Sequence, residues 1–481
     1  MKERIRQITF GILLVLFLLA GMLVCSTATS PLYPHNFSYD SAFFRFIGHE
    51  IVRGKTPYTD VWDHKGPVLF FIQALGASGD ITNKGKNILF LLQTVSVILS
   101  AFFMYKAYRA AVRDRANTLK FTAYLVCVSA VFSLTIEGGN LSEEWCLPMA
   151  CCSFWLMTSY AVNAADDPLH PQRYAFFHGI NFALMALIRI NNALPVCAGL
   201  AMIGLYLIYK KQWRNLFSNI IFGILGIAAV VIPVFLWFYF RGALGEMLYA
   251  AFGFNLNYAQ IRSYYPYTGT EFIIRYLPVI SAILIFILHR IHKRRISLMD
   301  LINMAALAVS IWMLTESNAY LHYFTVFLPV LFLVFIHYAD RLHGFTLLIL
   351  LTLCGWFAWQ NIQRIPDLIS LHRQSPMFTA AAQIPEEERS SVIAVNMPPE
   401  IYLNYGLEPV SRFCNNQHVH FSIDPALKEE FLTTLNEKQP LWILAFCDGE
   451  TKIPEVQELI DRSYQHRFDQ SDICYYRLKD Q

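Results

Sequence analysis

Long apolar runs recur along the chain, separated by short polar segments, and the length of those runs sets the first expectation. A helix needs about 20 mostly apolar residues to cross a bilayer. By that rule spans are predicted at 8–25, 88–106, 119–135, 145–162, 174–189, 193–209, 216–240, 276–290, 298–314, 322–338 and 344–360, about eleven in all. The polar segments between them give a sidedness, because basic residues stay on the cytoplasmic side. MKERIR at the start, KAYRAAVRDR (106–115), DDPLHPQR (166–173), YKKQWR (209–214), HRIHKRR (289–295) and HYADRLH (337–343) fall on one side by alternation. This puts the N-terminus in the cytoplasm of a multi-pass protein of the inner (plasma) membrane. The first apolar run has signal-peptide features, with a basic start and CSTATS after it, but its length favours a retained anchor.

The segments left outside are 26–87, 137–144, 241–275 and 315–323, with a tight turn at Arg189–Asn192. The first is unusually long. It reads as a helix over 41–52, a turn at Gly54–Pro57 and the apolar stretch GPVLFFIQALG (66–76). That stretch is too short to span and is expected to lie along the interface.

From about residue 361 the pattern changes. SVIAVN (391–396), LWILAF (441–446) and ICYYRL (473–478) read as strands, and 425–438 and 454–464 as helices with Pro near their starts. The expected architecture is thus an α-helical polytopic membrane region, 1–360, followed by a small α/β extracytoplasmic domain, 361–481. Cys414, Cys447 and Cys474 lie in the tail, which leaves room for one disulfide there.

Composition agrees with this reading. The chain is 55% hydrophobic and 15% charged, where soluble domains carry about 25% charged residues. The mean hydropathy is +0.39. A net charge of +3 with no basic stripe argues against a nucleic acid partner. The cysteines have no metal-site spacing.

Ionisable residues gather on the outward side: Asp40, Asp60, Asp63, His64, Lys65, Glu137, Glu143, Glu144, Arg189 and His322. Charges beside a bilayer are costly and are usually paired or functional. Their grouping suggests one site built from several loops. Asp40, before a predicted helix, reads equally as a helix cap and as a general base for an acceptor hydroxyl. PYTDVWDHKGP (57–67) sets two carboxylates, an imidazole and an amine within Asp60–Lys65. His64 and Lys65 suit a phosphate, and Asp60 or Asp63 suits holding them or a cation. In EGGNLSEEW (137–145), Glu143 and Glu144 suit either a helix start or catalysis, and Glu137 is less easily a cap. Arg189 with Asn191 and Asn192 reads either as a snorkelling cation or as a phosphate or sugar contact. His322 begins the tenth span as a further phosphate candidate.

The ordered set YDSAFF, PYTDVWDHKGP, GGNLSEEW, RINN and YLHYF resembles the GT-C superfamily of polytopic glycosyltransferases. The likeness is closest to bacterial relatives of protein mannosyltransferases and of the lipid A aminoarabinose transferase. The resemblance implies inverting transfer of a hexosyl- or pentosyl-type sugar from a polyprenyl-phosphate donor to an extracytoplasmic glycan, lipid or protein. It implies Asp40 as the base, and a second acid among Glu137, Glu143 and Glu144. Lys65, His64, Arg189 and His322 would bind the lipid phosphate. It also admits a divalent cation, Mg or Ca, for which Asp40, Asp60 and Asp63 are the candidates. Two positions depart from the commonest pattern: Ser41 follows Asp40, and Lys65-Gly66-Pro67 stands where two prolines are usual.

A transporter or flippase of lipid-linked saccharides predicts charges near mid-membrane and internal symmetry, and neither is visible. A polysaccharide polymerase or ligase shares the substrate and differs only in its loop motifs. A scaffold carrying an outward domain leaves Asp60–Lys65 unexplained.

Overall fold

The computed structural model describes residues 2–33, 39–77, 83–111, 138–258, 296–316, 321–339, 380–447, 452–470 and 472–479. The spans predicted at 119–135, 276–290 and 344–360, and Glu137, lie outside these residues. Contacts divide the chain into two compact units. One comprises Met1–Ser26, Phe90–Val234 and Arg262–Leu368; the other comprises Thr27–Leu89, Phe235–Ile261 and Ile369–Gln481. The long outward loop therefore belongs to the same unit as the tail.

Helices form where apolar runs were read. They are α1 (Lys2–Cys25), α2 (Tyr39–Val52), α3 (Pro67–Ala77), α4 (Asn83–Ala111), α5 (Ser142–Ala161), α6 (Gln172–Arg189), α7 (Leu194–Tyr209) and α8 (Trp213–Phe240). The short α9 (Leu244–Leu248), a π-helical turn at Tyr249–Gly253 and α10 (Phe254–Tyr258) follow, then α11 (Leu298–Glu316) and α12 (Leu328–Ala339). Among the described residues, three helical stretches are long and apolar enough to cross a membrane: Gly85–Ala111, Gln172–Tyr209 and Trp213–Phe240. Phe217, Ile220, Ile221 and Ile224 of α8 are exposed, a face that suits lipid rather than water.

In the first unit α5 packs on α6, and α7 on α11. Helices α6 and α8 approach at glycines. A Cβ on Gly179 would lie 2.1 Å from the Gly223 carbonyl oxygen, and one on Gly226 as close to that of Phe176. Small residues permit this backbone approach within a bilayer. Between α6 and α7 the helix is interrupted at Arg189 (φ −161°, ψ 107°) and continues through a 3-10 turn, Ile190–Ala193.

In the second unit α2 and α3 pack face to face. Gly48 makes this possible, since a Cβ there would meet the Gln73 backbone carbon at 2.5 Å. The tail carries α13 (Glu400–Tyr405), α14 (Gln417–Ile423), α15 (Pro425–Lys438) and α16 (Pro454–Ser463) around a four-stranded sheet. The strands β1 (Val392–Ala394), β2 (Trp442–Phe446), β3 (Tyr464–Gln470) and β4 (Ile473–Leu478) run in the order β1-β2-β4-β3. The β1–β2 pair is parallel and the other two are antiparallel. Helix α15 starts with Pro at its first position, as the sequence indicates, and the Asp424 carboxylate caps it by accepting from the Ala426 amide at 3.0 Å. A disulfide joins Cys447 to Cys474, and Cys414 is free and buried.

Candidate functional site

Each unit carries one cluster of the side chains singled out in the sequence. In the second unit the cluster is built on the turn between α2 and α3. Asp40 lies in the first turn of α2, where the helix dipole favours a carboxylate. It is half-buried, and among the described residues it accepts no hydrogen bond. The reading of Asp40 as a hydrogen-bonding cap thus finds no bond among the described residues.

Asp60 and Asp63, alike in sequence, are separated by the fold. Asp60 is exposed and accepts from the Thr56 amide at 2.7 Å. Asp63 is buried, and its Oδ1 accepts from the backbone amides of His64 and Lys65. Burial pushes the Asp63 carboxyl above its usual range; the Lys65 ammonium opposes this and the Asp40 charge adds to it. The Lys65 ammonium lies 2.8 Å from His64 Nε2. The His64 ring stacks on Tyr258 with centroids 4.7 Å apart, and Asn255 Nδ2 donates to the His64 carbonyl at 2.7 Å. The Tyr58 hydroxyl donates to the Lys65 carbonyl at 2.8 Å. Asp63, His64 and Lys65 are therefore held at both backbone and ring.

The tail supplies neighbours that sequence reasoning did not foresee. The Tyr39 hydroxyl donates to Asn416 Oδ1 at 2.8 Å. Trp62 meets the His420 ring edge-on at 4.8 Å. Burial holds the His420 imidazole down to about 3, with the Lys65 charge adding to it. Glu400, opening α13, is raised to about 7, chiefly by burial, and the Asp40 charge adds to it. Nothing local in the sequence marks these residues, which lie hundreds of positions from the loop they face.

The first unit holds the second cluster. Glu143 and Glu144 begin α5 and are both buried, yet they are used differently. Glu143 pairs with the Arg189 guanidinium and accepts from Ser142 Oγ at 2.9 Å. Arg189 also donates to the Tyr323 hydroxyl at 3.0 Å and lies 4.8 Å from the centre of that ring. His322 packs against Tyr323, centroids 4.7 Å apart. Glu144 points into a packed network instead. Its oxygens accept from Gln93 Nε2 at 2.7 and 2.8 Å and from the Asn140 amide at 2.8 Å. Gly138, Gly139 and Asn140 all have positive φ (91°, 82° and 62°), so Glu144 fastens a turn that needs left-handed backbone. Asn191 is exposed and Asn192 buried.

A cation needs several ligand atoms around one point. Among the described residues Asp40, Asp60 and Asp63 do not gather theirs so. The one group that does, Cys447, Asp469 and Cys474, has its two sulfurs joined to each other.

No protein-family model and no curated protein matches the sequence. Solved structures do match in fold. The chain is similar to ArnT from Cupriavidus metallidurans bound to undecaprenyl phosphate, with TM-score 0.62 and 12% identity over 96% of this chain and 97% of that one. The apo form of the same protein gives TM-score 0.59 and 13% identity over the same shares. The Archaeoglobus fulgidus oligosaccharyltransferase tethered with an acceptor peptide gives TM-score 0.52 and 12% identity, over 97% of this chain and 74% of that one. At these identities the likeness establishes a fold shared with these proteins.

Proposed function

We propose that the protein is a glycosyltransferase of the outer face of the inner membrane, moving a sugar from a polyprenyl-phosphate donor to an extracytoplasmic glycan, lipid or protein. The observation that carries this reading is the fold shared with ArnT along almost the whole chain. ArnT in that structure holds undecaprenyl phosphate. The Cys447–Cys474 disulfide supports an outward tail, since such bonds persist in oxidising compartments. About eleven spans and a cytoplasmic N-terminus complete the proposed topology.

The proposed step is an inverting displacement. The acceptor oxygen attacks the anomeric carbon, and its proton passes to the Asp40 carboxylate. The bond from that carbon to the phosphate oxygen breaks, and the lipid phosphate leaves with the electron pair. Asp40 suits the role because it is half-buried and takes part in no hydrogen bond among the described residues. Lys65, with His64 beside it, is proposed to stabilise the leaving phosphate, as cations stabilise developing negative charge. Arg189, His322 and Asn191 are proposed donor contacts, with Glu143 orienting Arg189. Glu144 is proposed to shape the turn before α5. No step is assigned to a metal ion.

Mass spectrometry of cell-envelope glycans and glycolipids, from cells with and without the protein, tests this reading. A sugar modification present only with the protein is expected. Identical profiles under conditions where the protein is made contradict it.

A further inference from the structure

Among the described residues of the outward loop, Tyr58 is the non-glycine residue with a left-handed backbone. Its φ of 74° is rare for a large side chain and persists only where the surroundings enforce it. It is fully buried, with its ring against Phe70 and Phe238 at 5.8 and 5.6 Å. Its amide donates to the Val61 carbonyl at 2.7 Å, closing the turn that leads into Asp63–Lys65.

One side chain of the tail holds this turn from outside. Arg412 Nη1 donates to the Tyr58 carbonyl at 2.6 Å and to Glu246 Oε2 at 2.9 Å. Its Nε and Nη2 form a fork on the two Glu430 oxygens at 2.7 and 2.6 Å. The Arg412 backbone carbonyl accepts from the Trp62 amide at 2.9 Å. One residue thus grips the loop at positions 58 and 62, on either side of the turn and just before Asp63. The same guanidinium is fixed by carboxylates from two other segments of the unit. Only a planar guanidinium offers donors in these several directions, and an ammonium is a point charge without that fork. From Tyr58 the order passes onward, because its hydroxyl holds the Lys65 carbonyl.

We propose that Arg412 is a positioning residue for the Asp63–Lys65 turn, which makes the tail a working part of the transfer site rather than an appended domain. The assignment of a catalytic consequence rests on the reading of Lys65 as a phosphate ligand. The clamp itself does not.

The test uses the full-length protein in nanodiscs, as wild type, Arg412→Ala and Arg412→Lys. Hydrogen exchange over residues 57–66 reads the clamp without reference to activity. Both variants are expected to exchange at least tenfold faster there, with exchange in β2 and β4 unchanged. Transfer from a polyprenyl-phosphate sugar reads the consequence. In Arg412→Ala a tenfold or greater rise in donor KM is expected, partly reversed by added guanidinium ion and not by sodium at equal ionic strength. If Arg412→Ala does not fold, Arg412→Lys decides through the same two measurements. Unchanged exchange at 57–66, or activity lost only in proportion to folded protein, overturns the proposal. Faster exchange together with a wild type inactive on every polyprenyl-phosphate sugar keeps the clamp and overturns the transferase reading.

Discussion

The Lys65 ammonium sits 2.8 Å from His64 Nε2, so the imidazole receives a hydrogen bond from the cation beside it. A ring that accepts at Nε2 carries its proton on Nδ1, and His64 Nδ1 lies 3.3 Å from Asp63 Oδ1. Three consecutive residues thus set a carboxylate, an imidazole and a cation side by side. Lys65→Met removes the charge that the donor phosphate would meet. A hydrogen bond to a charged group is worth about 1.5–3 kcal/mol, and each 1.4 kcal/mol is about tenfold in affinity. A rise in donor KM of roughly ten- to hundredfold is therefore expected by steady-state kinetics. An unchanged KM removes Lys65 from the donor site.

Arg189 and Glu143 form a pair of which Glu143 is 2% exposed and Arg189 20%. Removing one partner strands the other charge, which costs about 3–5 kcal/mol when a pair is buried. Arg189→Met is expected to lower the unfolding temperature more than the double change Arg189→Met with Glu143→Gln. Thermal unfolding in detergent checks the order. The reverse order shows that the pair carries no buried-charge penalty.

The pH dependence of stability isolates Glu400. Its folded value is raised to about 7, so the folded state holds a proton that the unfolded chain has released. Its contribution is full below the ordinary carboxylate range and is lost as pH rises towards 7. For one group the slope is at most about 1.4 kcal/mol per pH unit. His420, held down to about 3, acts oppositely, adding stability as pH rises from there towards the usual imidazole range. Comparison of wild type with Glu400→Gln cancels the His420 contribution. The wild type should lose stability relative to the variant between pH 4.5 and about 7. Parallel stability curves for the two proteins exclude a proton on Glu400.

Much of the fold was legible because apolar length and local caps act over short range. The run at 298–314 became Leu298–Glu316, and the proline read near the start of 425–438 opens Pro425–Lys438. Strand β3 was not legible. YQHRFDQ shows no apolar alternation, and its side chains are mostly exposed on a strand at the sheet edge. In the site, neighbours in sequence were readable, as in Asp63–His64–Lys65. The roles of Asp60 and Asp63 were not, since only burial separates them. Arg412 escaped notice because its partner Tyr58 lies 354 positions away, and no local pattern encodes such a contact.

The α2–α3 contact offers a test of the second unit's packing. A Cβ at Gly48 would sit 2.5–2.7 Å from Gln73 and the Ala74 amide, atoms largely of the backbone that cannot swing aside. Overpacking typically costs about 1–3 kcal/mol. Gly48→Ala should lower the unfolding temperature, while Gly11→Ala, with open space around it, should not. Equal behaviour of the two variants contradicts the close approach.

The central claim is that this chain transfers a sugar from a lipid phosphate with Asp40 as the base. Proteoliposomes carrying the purified protein, a labelled polyprenyl-phosphate sugar and an envelope extract as acceptor test it most directly. Positioned general bases contribute about 10²–10⁴-fold to rate. Wild type should release polyprenyl phosphate and label the acceptor. Asp40→Asn should lose at least a hundredfold of that rate while unfolding at the wild-type temperature. Transfer by Asp40→Asn at the wild-type rate contradicts the account.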